Sequence, residues 1–246
     1  MIPAFNEAAG IEATLHELRS YLASRPWSWE IRVVDDGSTD DTAAIVDAVS
    51  RIEPRVTVQR EPHRGKGAAV RAGFLATSAA HRFLCDADLS MPVRELERFM
   101  PLALDDTDVA IGSREGAGAR RVGEPARRHV AGRAFNAVVG LLAVPGIQDT
   151  QCGFKMFTAA AADAIFPYTT IDGWAFDIEV LYIARLRGLR VREVPIEWHY
   201  RAGSRLHMFR DSFAMLGELL QIRARARRGG YDIAGLANAR TSDPRG

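Results

Sequence analysis

Two aspartates separated by one residue, in Asp86-Ala87-Asp88, follow directly on the apolar run Arg82-Phe83-Leu84-Cys85. Acids at that spacing in a bent loop can aim carboxylate oxygens at one divalent ion. Hard oxygen donors suit magnesium or manganese, and a diphosphate can supply further ligands. Such an ion would offset the charge of a departing diphosphate. Asp35-Asp36-Gly37-Ser38-Thr39-Asp40 ends a second apolar run. There one carboxylate can accept a hydrogen bond from a base edge or ribose, while Gly37 permits close approach and Thr39 can cap the next helix. Asn6 and Glu7 lie beyond the first short run and offer nucleotide contacts or caps. Arg64-Gly65-Lys66-Gly67 sets positive charge and pliant backbone at a helix start, where amide donors and Lys66 can support a nucleotide or its phosphate. Each motif alone has a plain explanation as turn or capping chemistry; their common placement after strands favours a site.

The elements that must position these residues read as strand and helix in alternation. A strand at Ile31–Val34 precedes a helix from Thr39 to about Arg51; Val56–Val58 precedes one from Lys66 to Thr77. Arg82–Cys85 leads to a helix opened by Pro92, and Asp108–Ile111 is a fifth strand. Ahead of these, Met1–Ala4 is short for a core strand, as if the first strand were cut into, and a helix spans about Ala9 to Ala23. The order predicts an α/β fold with a mainly parallel sheet flanked by helices, its ligands gathered beyond the carboxyl ends of the strands. The chain lacks a P-loop and a GxGxxG dinucleotide fingerprint, which argues against an oxidoreductase.

The rhythm changes after Gly112. Six Arg and two Glu stand between Arg114 and Arg133, ahead of an apolar helix near Phe135–Ala143. An extended piece follows at about Gly153–Phe157, then a helix over Trp174–Arg187 and one or two strands over Leu189–Tyr200, interrupted by Pro195. From Leu206 a final helix carries Leu206, Phe209, Phe213, Leu216 and Leu220 on one face and ends in Arg223, Arg225, Arg227 and Arg228. That face seals the core or a homo-oligomer interface, or lies on a bilayer with arginines toward anionic lipid. We expect one domain over 1–230, made of a nucleotide- and metal-binding half (1–112), an acceptor half (113–205) and this basic helix (206–230), with a flexible tail over 231–246.

With 32 Lys plus Arg against 31 Asp plus Glu, the near-neutral balance gives no reason to expect a nucleic-acid partner. Cys85 and Cys152 show neither metal-ligand spacing nor the density of a secreted scaffold, so a reducing cytoplasm fits them. No stretch approaches the about 20 apolar residues needed to cross a bilayer. Peripheral attachment to the cytoplasmic membrane face stays open.

Ile2-Pro3-Ala4-Phe5-Asn6-Glu7, Val33-Val34-Asp35-Asp36-Gly37-Ser38-Thr39-Asp40, Gly65-Lys66-Gly67 and Asp86-Ala87-Asp88 occur in the order seen in family 2 glycosyltransferases. Gly112-Ser113-Arg114, Asp149 to Lys155, Gly173 to Glu179 and Gly203-Ser204-Arg205 make the chain resemble the dolichyl-phosphate β-glucosyltransferase group and its bacterial polyprenyl-phosphate relatives, over about residues 1 to 207. The resemblance implies a GT-A fold. It places Pro3, Asn6, Glu7, Asp36 and Lys66 near the nucleotide, Asp86 and Asp88 at a Mg2+ or Mn2+ ion, and Gln151, Trp174 and Asp177 beside the sugar or reacting phosphate. Arg205 stands where the group often has Lys, which keeps the charge but alters phosphate geometry.

The implied activity is inverting transfer of a hexose, glucose from UDP-glucose, to a polyprenyl phosphate to give a β-linked product. A hydroxyl acceptor on a glycan, protein or small molecule would need a base, for which Asp177 or Glu179 is a candidate. A phosphate acceptor is already largely ionised near neutral pH, its second pKa being about 6. It needs a clamp instead, and Arg114, Arg128, Arg133 and Arg205 are the leading candidates. A noncatalytic nucleotide-sugar sensor is the remaining alternative.

Overall fold

A computed structural model describes residues 1–100, 106–201 and 208–231, apart from the side chains of residues 127–128 and 208–213. In chain order the strands are β1 (Ile2–Ala4), β2 (Ile31–Asp35), β3 (Val56–Arg60), β4 (His81–Leu84), β5 (Val109–Ser113), β6 (Arg120–Val122), β7 (Lys155–Thr158), β8 (Val191–Pro195) and β9 (Glu197–His199). The helices are α1 (Ile11–Ala23), α2 (Thr42–Ile52), α3 (Lys66–Leu75), α4 (Ala126–Leu142), α5 (Ala159–Ile165), α6 (Phe176–Leu186) and α7 (Met208–Arg227). Leu206 and the segment 232–246 lie outside the described residues.

β1, β2 and β3 pair in parallel, and β4, β7, β5 and β8 form a second sheet in that order. The two meet at Met1, whose nitrogen donates to Phe83 O at 2.7 Å and whose carbonyl accepts from Cys85 N at 3.0 Å. Strand pleat then divides the core: Val109 and Ile111 face one apolar cluster with Phe157, while Ala110 and Met156 face the other with Val33. Both faces are covered, as a parallel sheet flanked by helices requires.

Four details differ from the sequence reading. β7 runs antiparallel to both β4 and β5, a direction that an isolated apolar run cannot reveal. α4 starts at Ala126, so Arg127, Arg128 and Arg133 stand on the helix and not on a loop leading into it. The helix expected after Pro92 is a 3-10 turn, Val93–Phe99. On α7 the buried residues are Met215, Leu219 and Ile222, at helical spacing; Leu216 is half-buried and Leu220 is exposed at the flank of the expected stripe. A small parallel pair, β6 with β9, lies beside the main sheet.

Candidate active site

β4 ends in a tight descent toward Asp86. Because Leu84 pairs with Lys155 in the antiparallel β4–β7 ladder, the segment entering β7 passes directly under the acid. A side chain on Gly153 would meet Asp86 Oδ2 at 1.8 Å, so only glycine leaves room for the carboxylate. Its other oxygen accepts from Lys66 Nζ at 2.6 Å. Burial works against the Lys66 charge, but Asp86, Asp177 and Asp88 outweigh it and hold the ammonium above its ordinary pKa. Asp88 is exposed and accepts from Ser90 N (2.9 Å) and Ser90 Oγ (2.8 Å), while Leu89 between them takes a left-handed φ of 44°.

These groups line a cavity of about 510 Å³. Gln151, Trp174 and Asp177 stand on its wall, and Lys66 Nζ lies 5.5 Å from the centre of the Trp174 ring. Asp177 is buried and paired with Lys155 Nζ at 2.5 Å, which also donates to Cys152 O. Burial raises the Asp177 pKa; Lys155 and Lys66 oppose that rise without cancelling it. Arg114 grips the wholly buried Asp149 through Nε (2.7 Å) and Nη2 (2.8 Å) and lies 5.3 Å from the Trp198 ring centre. Burial opposes the Asp149 charge, but the guanidinium prevails and holds the carboxyl below its usual range.

Arg121 also lines the cavity, bonded to Glu115 (2.7 Å), Glu124 (2.5 Å) and Arg114 O (3.1 Å). Sequence reasoning passed over it because nothing in an arginine-rich run says which member faces inward. Burial first, then Asp149, pushes the Cys152 thiol up to about 12, and burial raises Cys85 as well, so neither cysteine on this wall is a thiolate nucleophile.

Other expected residues are placed elsewhere. Pro3 is buried in β1, and Asn6, Glu7 and Asp36 form the loops beside the cavity without lining it. Asn6 Oδ1 accepts from Thr39 N at 2.7 Å, and Glu7 N donates to Thr42 Oγ1 at 2.7 Å, which ties the first loop to the second. Asp36 is buried and accepts from Arg64 N, Gly65 N (both 2.9 Å) and His63 Nδ1 (2.8 Å). The proposed amide cradle at Gly65-Lys66-Gly67 is corrected by the same geometry. Gly65 N serves Asp36, and Gly67 N and Ala68 N donate to Asp172 O at 2.8 and 3.3 Å, so α3 is capped from within and only the Lys66 side chain reaches the cavity.

Two further candidates do not line the cavity. Glu179 is fully buried and accepts from Thr170 N, Ile171 N and the Tyr231 hydroxyl, which leaves it no path to an acceptor. Arg133 bonds Glu115 Oε2 at 3.0 Å and borders a separate shallow depression. The side chain of Arg128 and the whole of Arg205 lie outside the described residues.

The donor set fits a divalent ion. Asp86 and Asp88 both line the cavity and offer hard carboxylate oxygens of the kind a divalent ion shares with phosphate; among the described residues no group of three or more His, Cys, Asp or Glu comes together.

The family model for Glycosyl transferase family 2 matches residues 1–166. A dolichyl-phosphate beta-glucosyltransferase of Trichomonas vaginalis is 34% identical over 99% of this chain and 75% of that protein. The dolichyl-phosphate beta-glucosyltransferase of Saccharomyces cerevisiae is 34% identical over 91% of this chain and 73% of its own length. Among solved structures, glucosyl-3-phosphoglycerate synthase from Mycobacterium tuberculosis, in complex with Mn2+, UDP-glucose and phosphoglyceric acid, superposes with a TM-score of 0.62 at 22% identity, covering 91% of this chain and 78% of that one. At that identity the likeness bears on the fold, which is of the GT-A type.

Proposed function

We propose, from the premise that this chain belongs to glycosyl transferase family 2, that it transfers glucose from UDP-glucose to a dolichyl-type polyprenyl phosphate with inversion at the sugar. The observation that carries the reading is the mixed lining of one cavity. Lys66, Asp86 and Asp88 line it together with apolar residues of α4 and α7, among them Phe135, Val138 and Leu216. The charged groups suit a donor diphosphate and the apolar ones a prenyl chain.

A divalent ion held by Asp86 and Asp88 would stabilise negative charge on the departing diphosphate. The chain's own residues do the remaining work. Lys66 keeps a fixed positive charge beside the acids, which both orients Asp86 and favours an anionic leaving group. Trp174 offers a flat apolar wall at the place where a sugar would lie. Asp36 acts at one remove, by fixing the His63–Gly65 backbone from which Lys66 projects. Arg114 and Arg121 supply positive charge for the acceptor phosphate, although each is partly neutralised by acids behind it.

A hydroxyl acceptor fits less well. Glu179 is sealed away, and the Lys155 ammonium paired with Asp177 Oδ1 works against proton uptake by the one carboxylate of the two that lines the cavity. A phosphate that arrives ionised needs no base. This chemistry calls for work at a bilayer surface, with the protein attached peripherally; among the described residues no helix is long and apolar enough to cross a membrane.

The test is nucleotide release from a panel of nucleotide sugars, with polyprenyl phosphate or a soluble alcohol as acceptor, followed by mass and anomeric analysis of the product. The expected result is a β-linked glucosyl phosphate lipid from UDP-glucose. Efficient transfer to the alcohol alone would overturn the acceptor assignment. Asp88→Ala is expected to abolish most turnover while the fold persists, and normal metal-dependent turnover in that variant would reject its role.

A further inference from the structure

α4 carries Arg127 and Arg128 in its first turn and no acid there, and its N-cap position, Pro125, provides no side-chain cap. Glu124, just ahead of the helix, lies 3.4 Å from His129 Nδ1 and is shared with Arg121. Cations at a helix N-terminus oppose the helix dipole. No Asp or Glu occurs anywhere from residue 125 to residue 148.

The same helix bares an apolar stripe. Val130 is 66% exposed, Val138 40% and Leu141 84%, and with Ala134 they recur at three- and four-residue steps along one face. Ala134 and Val138 also line the cavity, so the stripe continues into its mouth. α4 thus joins an exposed apolar stripe that reaches the cavity to a segment rich in arginine and without acids, the pairing that an anionic lipid surface complements.

We propose that α4 is the surface by which the protein docks on an anionic phospholipid bilayer, its apolar face seated among the acyl chains so that the cavity opens toward lipid. The inference rests on the lipid-phosphate reading above and assigns the attachment to α4, where the sequence pointed to α7. Each arginine near an anionic surface strengthens attachment by about fivefold, and screening by salt weakens it.

The experiment is flotation of the full chain with vesicles of phosphatidylcholine, alone or mixed with phosphatidylglycerol, using wild type and a Val130→Glu/Leu141→Glu variant. Neither substituted residue lines the cavity. Nucleotide release with a short-chain, water-soluble prenyl phosphate is measured in parallel, and sedimentation reports the oligomeric state. The expected result is salt-sensitive binding to the anionic vesicles, weakened at least about tenfold in the variant, with short-chain turnover unchanged. Equal vesicle binding by both proteins would overturn the proposal, as would a wild-type dimer that binds no vesicles and that the variant dissociates. Absence of short-chain turnover in wild type would instead count against the proposed function.

Discussion

Adding one methyl group at Gly153 probes the site more sharply than removing an acid. The backbone there is not in the left-handed region, so alanine is conformationally acceptable, and the conflict is wholly with Asp86. The new carbon would lie 1.8 Å from Oδ2, 2.3 Å from Cγ and 2.6 Å from Oδ1, whereas ordinary contact begins near 3.4 Å. Oδ2 must retreat by about 1.6 Å and Oδ1, which accepts from Lys66 Nζ at 2.6 Å, by about 0.8 Å, so the whole carboxylate shifts and that bond is disturbed with it. Asp86 retains 38% side-chain exposure and can swing outward, so the stability loss should stay within the roughly 1 to 3 kcal/mol of an overpacked site. Catalysis is less forgiving, since a displacement of about 1 Å can cost on the order of 100-fold. Gly153→Ala is therefore expected to lower kcat at least about 100-fold in the nucleotide-release assay and to retain its circular dichroism spectrum and a cooperative melt. Turnover within about threefold of wild type, at saturating metal and donor, would refute the claim that the Asp86 position matters.

Asp149→Ala leaves the Arg114 guanidinium buried without its partner and should cost about 3 kcal/mol in urea unfolding, the low end for a broken buried pair because Arg114 keeps 19% exposure. A loss under about 1 kcal/mol would show the pair to be dispensable. The Asp149 pKa is depressed, so its stabilisation is present above the unfolded value of 3.8 and lost as pH falls through the folded one; the gap between wild type and variant should narrow on acidification. Glu218 has the opposite sign. Burial raises its pKa despite the bond from Ala175 N, so its ionisation opposes folding above 4.5, and Glu218→Gln should gain stability relative to wild type as pH rises from there. A pH-independent difference in melting would contradict this. Glu179→Ala should destabilise the fold by about 1 to 3 kcal/mol through its orphaned donors while the folded fraction keeps its specific activity. A folded but inactive variant would restore Glu179 as a base.

What the sequence disclosed follows from how local each cause is. The acids Asp86 and Asp88 stood out because an apolar run precedes them, and the parallel strands because their residues are buried on both faces. Asp172 caps α3 through a carbonyl contributed from far along the chain, which no reading of Gly65-Lys66-Gly67 could foresee. Arg133 and Arg121 are of one residue type in one charged run, yet Arg121 lines the cavity and Arg133 borders another depression, because Arg121 stands on β6 and Arg133 on α4, with Glu115 bonded to both. Asp177 and Glu179 are two positions apart on α6 and so point to different faces, one to the cavity wall and one to the Thr170 loop. Gly153 carries no chemical signal of its own; its meaning appears only when β7 reverses direction beside β4.

That reversal bears on how the protein can be made and divided. β7 fills the gap between β4 and β5 with residues synthesised well after both, so until it arrives those two strands expose unpaired amides and carbonyls to any passing chain. The first 112 residues are consequently not a portable donor-binding module. Expressed alone, they would hold two open edges where the native molecule has a closed ladder, and would be prone to aggregate during biogenesis rather than fold to a half-enzyme.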